Sequence, residues 1–235
     1  PNLYRGWIKG DGDQIGQQMI TATKAAIAKN IQCLEVLFDP VPNLDEVAFG
    51  TAWNQRFRQD VKDSLQVPEY VTNRGGPSTL EWSNIYWANR LASGILSSGA
   101  EVIILSLSGE GTKGQYLPKL TSGVSLIRLS DTKSPVFESR DNSKIKAFIL
   151  LGPCQEDHYR RGAELSAKYK VPVIALNAPF SYRYDIGGGS PYTLAYVMKR
   201  VPKGWIYRQY PKNFEAIVEG PDYEVSLSLY RRLLD

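Results

Sequence analysis

Histidine is nearly missing from this chain: His158 is the only one in 235 residues, and cysteine stops at Cys33 and Cys154. Tetrahedral zinc needs Cys and His in clusters, so this supply excludes a structural zinc site, and no metal is expected. Two cysteines form no disulfide framework. They read as reduced, half-buried structural thiols beside strands. A redox pair stays open, because spacing says nothing about distance. Long apolar runs are missing too. The best, 147–151 and 171–176, fall far short of the roughly 20 residues that span a bilayer. One-sided charge is missing: 28 Lys and Arg face 24 Asp and Glu, a net +4, too mild to call for nucleic acid. There is no G-x-S-x-G, no paired carboxylates stand out, and a lone histidine leaves little for a triad.

What is present is ordinary globular material. Hydrophobic residues make up 43% and charged residues 22%, which argues against a disordered tail or a fibre. A chain this long buries about 70–75% of its unfolded surface and needs no staple. One domain is expected over 11–235, preceded by an extended arm over 1–10. The chain begins at Pro1 without Met, so an earlier segment, with any targeting signal in it, is expected upstream.

The hydrophobic period sets the elements. Ile15, Met19, Ala22 and Ala26 recur at helical spacing, and Asp11 or Asp13 can cap that helix. Residues 31–38 alternate as a strand that Asp39-Pro40 stops. A second helix opens at Asp45-Glu46 and carries Phe57, Val61 and Leu65. After a loop over 67–77, a third runs from Thr79 to Leu96. Strands are expected over 101–107, 124–129, 145–151 and 171–176, with a helix over 155–169 between the last two. A flexible bend at Gly187-Gly188-Gly189 follows. Then come a short helix over 192–198, strand pieces over 204–210 and 214–219, and a terminal helix. Strands joined through helices of 12 or more residues run parallel. The fold class is therefore α/β: a three-layer sandwich with a mainly parallel sheet and helices on both faces.

Three constellations stand out. Gly109-Glu110-Gly111-Thr112-Lys113-Gly114 is G-x-G-x-x-G directly after a strand, with Asp131 at the end of the next one. A dinucleotide fingerprint has this form, but it needs a helix behind it. Only 115–122 is available, with Pro118 inside, so a solvated loop and no cofactor is the favoured reading. Cys154 precedes a helix with His158 four residues on, a spacing that can activate a thiolate. Glu156 and Asp157 argue against it, since acids raise a thiol's pKa and also serve the helix dipole. The third is a charge asymmetry. Residues 1–156 hold 16 basic and 16 acidic residues, and 157–235 hold 12 and 8. Lys199, Arg200, Lys203, Arg208 and Lys212 meet no acid and interleave with Trp205, Tyr207 and Tyr210. Such a stretch suits an anionic surface, whether lipid headgroups, an acidic protein or single-stranded RNA. The competing reading is a solvated edge with cation stems over core aromatics.

Several of these pieces together resemble a known domain family. They are the opening amphipathic helix over 13–29, the strand Leu34-Glu35-Val36-Leu37-Phe38-Asp39-Pro40, and the run Ala147 to Pro153. The segment Val171-Pro172-Val173-Ile174-Ala175-Leu176-Asn177-Ala178-Pro179 and the aromatic tail Gly204 to Phe214 complete the set. The family is the plastid and cyanobacterial domain of unknown biochemical function found in the low photosystem II accumulation assembly factor and in the C-terminal part of a chloroplast adenylate kinase. The resemblance covers about residues 11–225. It departs from the family where Ala178 separates Asn177 from Pro179 and where Phe214 stands for Trp. No phosphate-transfer residue carries over. The resemblance implies a protein of the chloroplast stroma, peripheral to the thylakoid membrane, whose partner is a large photosynthetic membrane protein complex. It would serve as assembly factor or peripheral subunit in photosynthesis. On the residues alone the expectation is a non-enzymatic binding protein using Lys199, Arg200, Lys203, Trp205, Arg208 and Lys212. The alternatives are a nucleotide-binding enzyme using the Gly109–Gly114 loop and a plastid RNA-associated protein.

Overall fold

The computed structural model describes residues 14–41, 55–68, 76–112, 116–178, 191–201, 204–219 and 225–228. The chain opens with α1 (Gln14–Ala28), whose Ile15, Met19, Ala22 and Ala26 form the buried stripe that the spacing predicts. Then β1 (Cys33–Phe38) enters the sheet with all six residues buried. Two helices, α2 (Gln55–Leu65) and α3 (Gly76–Ile95), lead to β2 (Glu101–Ser106) and β3 (Val124–Arg128). A 3-10 turn over Leu129–Lys133 and the short α4 (Pro135–Glu138) precede β4 (Ile145–Leu151). After β4 come α5 (Glu156–Tyr169), β5 (Val173–Leu176), β6 (Thr193–Val201), β7 (Gly204–Gln209), β8 (Glu215–Glu219) and β9 (Val225–Ser228).

All nine strands join one sheet in the order β3-β2-β4-β5-β1-β6-β7-β8-β9. The first six run parallel, and β6 to β9 are antiparallel. The fold is α/β with a mostly parallel sheet. Successive side chains of a strand point to opposite faces, and here they feed two apolar clusters. Leu34, Val36, Val102, Ile104, Ala147 and Ile149 pack with residues of α1, α2 and α3. Cys33, Ile103, Leu105, Phe148 and Leu150 pack with Phe137 of α4 and with Leu165 and Tyr169 of α5.

Two expectations need correction. The segment 192–198, read as a short helix, is mostly β6. Its apolar run Leu194 to Met198 is one for which periodicity does not separate helix from strand. The outcome is set by hydrogen-bonding partners on both sides, β1 and β7. A register shift between Glu35 and Val36 leaves Ala195 as the extra residue. The terminal helix is also incorrect where it is described, since 225–228 is strand β9, paired with β8. The third helix begins at Gly76 rather than Thr79. The arm over 1–10, residues 45–54 of the second helix and the Gly187–Gly189 bend lie outside the described residues.

Trp87 holds the first cluster together. It is fully buried, stacks on Phe57 at 5.8 Å, and meets Phe38 and Tyr86 edge-on at 5.1 Å each. Its indole N–H donates to the Pro40 carbonyl at 2.9 Å, so this large ring is buried with its polar atom satisfied. Trp87→Ala should cost about 3–5 kcal/mol of folding stability. Urea denaturation followed by circular dichroism measures it, and a loss below about 1 kcal/mol would show that the ring is not central to the core.

Candidate functional site

The connections out of the neighbouring parallel strands β2 and β4 diverge. β2 and β4 are adjacent, but β2 leads outward to β3 and β4 leads the other way to β5. The β2–β3 connection packs Tyr116 and Leu120 against the first cluster, while α5, after β4, packs against the second. In open α/β sheets ligands bind outside the carboxyl ends of strands at such a switch point. Leu105 pairs with Leu150, so the two strands end side by side. Two of the three constellations read from the sequence, the Gly109 loop and the Cys154–His158 turn, therefore follow the carboxyl ends of adjacent strands.

On the β2 side the loop closes on itself. The Ser106 hydroxyl donates to Glu81 at 2.9 Å and accepts from the Gly109 N–H at 2.8 Å. The Ser108 hydroxyl accepts from Glu110 N–H at 3.0 Å, Trp82 Nε1 donates to Glu110 at 3.0 Å, and the Thr112 hydroxyl donates to Gly109 O at 2.6 Å. Gly109 and Gly111 have φ of +80° and +71°, conformations that favour glycine. A Cβ on Gly109 would fall on Arg128 Nε, and one on Gly111 would lie 3.1 Å from Leu126 and 3.2 Å from Ile85. Packing within the chain thus accounts for both glycines. Residues 116–121 are irregular rather than helical, as Pro118 suggests, so no helix N-terminus stands behind the loop to hold a pyrophosphate. Lys113 and Gly114 lie outside the described residues, and Asp131 sits in the 3-10 turn.

On the β4 side Asn177 ties three elements. Its side chain accepts from Phe38 N–H at 2.9 Å and donates to Asn84 Oδ1 at 3.0 Å. On the other face of β1 Tyr159 donates to the buried Glu35 at 2.9 Å, and Tyr192 donates to the Tyr159 carbonyl at 3.0 Å. Burial first, then the neighbouring Glu35 charge, pushes the Tyr159 hydroxyl far above its ordinary pKa. Cys33 is buried, and burial pushes its thiol up. Cys154 departs from the half-buried expectation: it is exposed, with Sγ 3.7 Å from His158 Nδ1.

The basic aromatic stretch is not a single surface. β6 and β7 are interior strands of the sheet, not an edge. Trp205 is only 5% exposed and belongs to the core. Lys199 pairs with Asp39 at 2.7 Å, and its side chain is 19% exposed. Arg200 lies in β6 opposite Trp205 in backbone register, and Lys203 lies outside the described residues. Arg208 stacks over Phe214 at 4.7 Å and Tyr210 at 5.9 Å. Its Nε donates to the Lys212 carbonyl at 3.3 Å, and Lys212 is exposed in the turn between β7 and β8.

Among the described residues no three of His, Cys, Asp and Glu gather as a metal would require, and no helix is long and apolar enough to cross a membrane. No known family model and no curated sequence matches this chain.

Sequence reasoning missed Glu81, Ser106, Asn84 and Asn177. A signal existed for Ser106 and Asn177, since both are polar residues at the ends of apolar strands, but only the topology shows that those ends meet.

Two outcomes follow from this geometry. Titration with NAD, NADP and ATP should give no binding tighter than about 1 mM, or roughly −4 kcal/mol; a micromolar heat signal abolished by Gly111→Ala would restore the nucleotide reading. Burial, opposed by the Ser106 and Ser108 hydrogen bonds and helped by the Glu110 charge, holds the Glu81 carboxyl above its ordinary value. A raised carboxyl costs stability where it must ionise, and the cost disappears as pH falls below the ordinary glutamate value of about 4.3. Glu81→Gln keeps an acceptor for Ser106 and should be more stable than the parent at pH 7. The difference should close by about pH 3.5, where both carboxyl states are protonated. Denaturant midpoints at the two pH values test this, and an equal gap at both contradicts it.

Proposed function

We propose that this chain is a non-enzymatic binding protein that docks on an anionic face of a larger assembly through the turn between β7 and β8. The observation that carries the reading is the stacking of Arg208 on Phe214 and Tyr210 beside the exposed Lys212. A guanidinium held on aromatic faces is partly ordered before it meets a partner, so less entropy is lost on contact. Arg and aromatic residues are also where interface energy concentrates. Glu215, the next acid along the chain, sits opposite Tyr207. Alternation places it on the other side of the sheet from Arg208, so it does not cancel the positive turn.

The sequence resemblance supports the identity of the assembly: a photosynthetic membrane complex met from the chloroplast stroma, with the chain as assembly factor or peripheral subunit. The basic contribution comes from Arg208 and Lys212, since Lys199 is engaged by Asp39 and Trp205 is in the core.

The test is the double charge reversal Arg208→Glu with Lys212→Glu, measured by binding to purified thylakoid complexes at low and high salt. Loss of roughly tenfold or more in affinity at low salt, shrinking at high salt, is the expected result. Unchanged binding by a folded variant would place the partner surface elsewhere.

A further inference from the structure

A chain of amides settles which way Asn84 faces. The Phe38 backbone N–H can only donate, so the Asn177 side-chain atom that it meets at 2.9 Å is Oδ1. Asn177 Nδ2 must then donate, and the atom that it meets at 3.0 Å is Asn84 Oδ1. Asn84 is left with Nδ2, an NH2 group, on its free side. That group has no hydrogen-bond acceptor among the described residues, and the Asn177 backbone carbonyl has no donor. Both belong to buried residues, Asn84 at 6% and Asn177 at 5% exposure. Buried polar groups are paired as a rule, so an open donor and an open acceptor in one place point to a ligand. By contrast Glu81, one turn earlier on α3, is bonded to Ser106, which also accepts the Gly109 N–H.

Strand ends build the place where they meet. Gly152 follows β4, and its N–H donates to the Leu176 carbonyl at 2.8 Å, which seats it beside the end of β5. Its φ is +52°. A Cβ on Gly152 would lie 3.8 Å from Asn84 Nδ2 and 3.9 Å from the Asn177 carbonyl oxygen, the only described atoms within 4 Å of that point. One point beyond the carboxyl ends of β4 and β5 is therefore close to both groups, and the side chain that would cover them is missing.

We propose that Asn84 Nδ2 and the Asn177 carbonyl, beside Gly152, bind a small ligand that carries a primary carboxamide or a lactam edge. The ligand carbonyl accepts from Asn84 Nδ2, and the ligand N–H on the same side donates to the Asn177 carbonyl. A trans peptide bond does not fit, because its C=O and N–H point to opposite sides. A carboxylate does not fit either, because it has no proton for the Asn177 carbonyl.

The experiment titrates the full chain with propionamide and with uracil and follows the Asn84 side-chain NH2 resonances by NMR. Propionamide represents an open carboxamide and uracil a lactam, and the tighter of the two names the source. Ligands this small are expected to saturate with a Kd of about 1–20 mM. Propionate and N-methylacetamide should bind at least tenfold more weakly than the better probe. Asn84→Asp keeps the acceptor for Asn177 but removes the donor, and Gly152→Ala puts a methyl group over both polar atoms. Each should weaken binding at least tenfold. Circular dichroism and the melting temperature show whether each variant folds, and Gly152→Ala decides if Asn84→Asp does not. If neither variant folds, the parent's preference over propionate and N-methylacetamide decides alone. The absence of a saturable shift up to about 100 mM, equal binding of propionate and propionamide, or unchanged binding by a folded variant overturns the proposal. The open atoms then meet only water.

Discussion

The centre of a mostly parallel sheet packed against helices holds little water, so polar atoms there depend on partners within the chain. β1 is where this constraint is strictest. It lies between β5 and β6, and all six of its residues are buried, Glu35 among them. The carboxyl of Glu35 takes the Tyr159 hydroxyl, which brings α5 onto the sheet. The strand's last N–H, on Phe38, is met by the Asn177 side chain, which also holds Asn84 of α3. Asn177 reaches both from a left-handed φ of 51°, a conformation that Asn tolerates better than most residues. Removing that amide would orphan a buried N–H and a buried side chain together, a larger loss than one hydrogen bond is worth.

The same economy explains the Gly109 loop. Ser106 ends a buried strand, and its hydroxyl meets both Glu81 and the Gly109 N–H. The chain then turns tightly through two positive-φ glycines, and Arg128 lies against the first of them. The spacing of a phosphate cradle arises here because a strand end must turn and Arg128 must fit. What separates the two cases is the element after the glycines: a helix aims a row of N–H groups at an anion, and residues 116–121 do not form one.

Much of this architecture was legible. The stripes of α1, β4 and α5 follow from hydrophobic period, since each buries one face or two. β6 was not, because Leu194 to Met198 is apolar throughout and its strand state depends on the parallel pairing with β1, about 160 residues earlier in the chain. The Cys154–His158 spacing was legible, but its environment was not. Whether Asp157 faces the thiol or an arginine is decided by the α5 rotamers that join it to Arg160. The basic stretch misled in a different way. Counting charges cannot show that Lys199 is engaged by Asp39 at the end of β1, or that Trp205 points into the core.

The two surfaces that remain are set apart by the sheet itself. β4 is third and β7 seventh in the strand order, four spacings or about 19 Å. That exceeds the Debye length of about 8 Å at physiological salt, so charges beyond the carboxyl end of β4 act only weakly on Arg208 and Lys212 through solvent. A stronger influence would have to pass through packed strands. The intervening β5, β1 and β6 are tightly buried, and sites separated by more than about 10 Å without shared partners contribute nearly additively. Charge at the switch point and charge at the β7–β8 turn are therefore separable properties of one sheet. Any coupling between them requires a partner large enough to cover both.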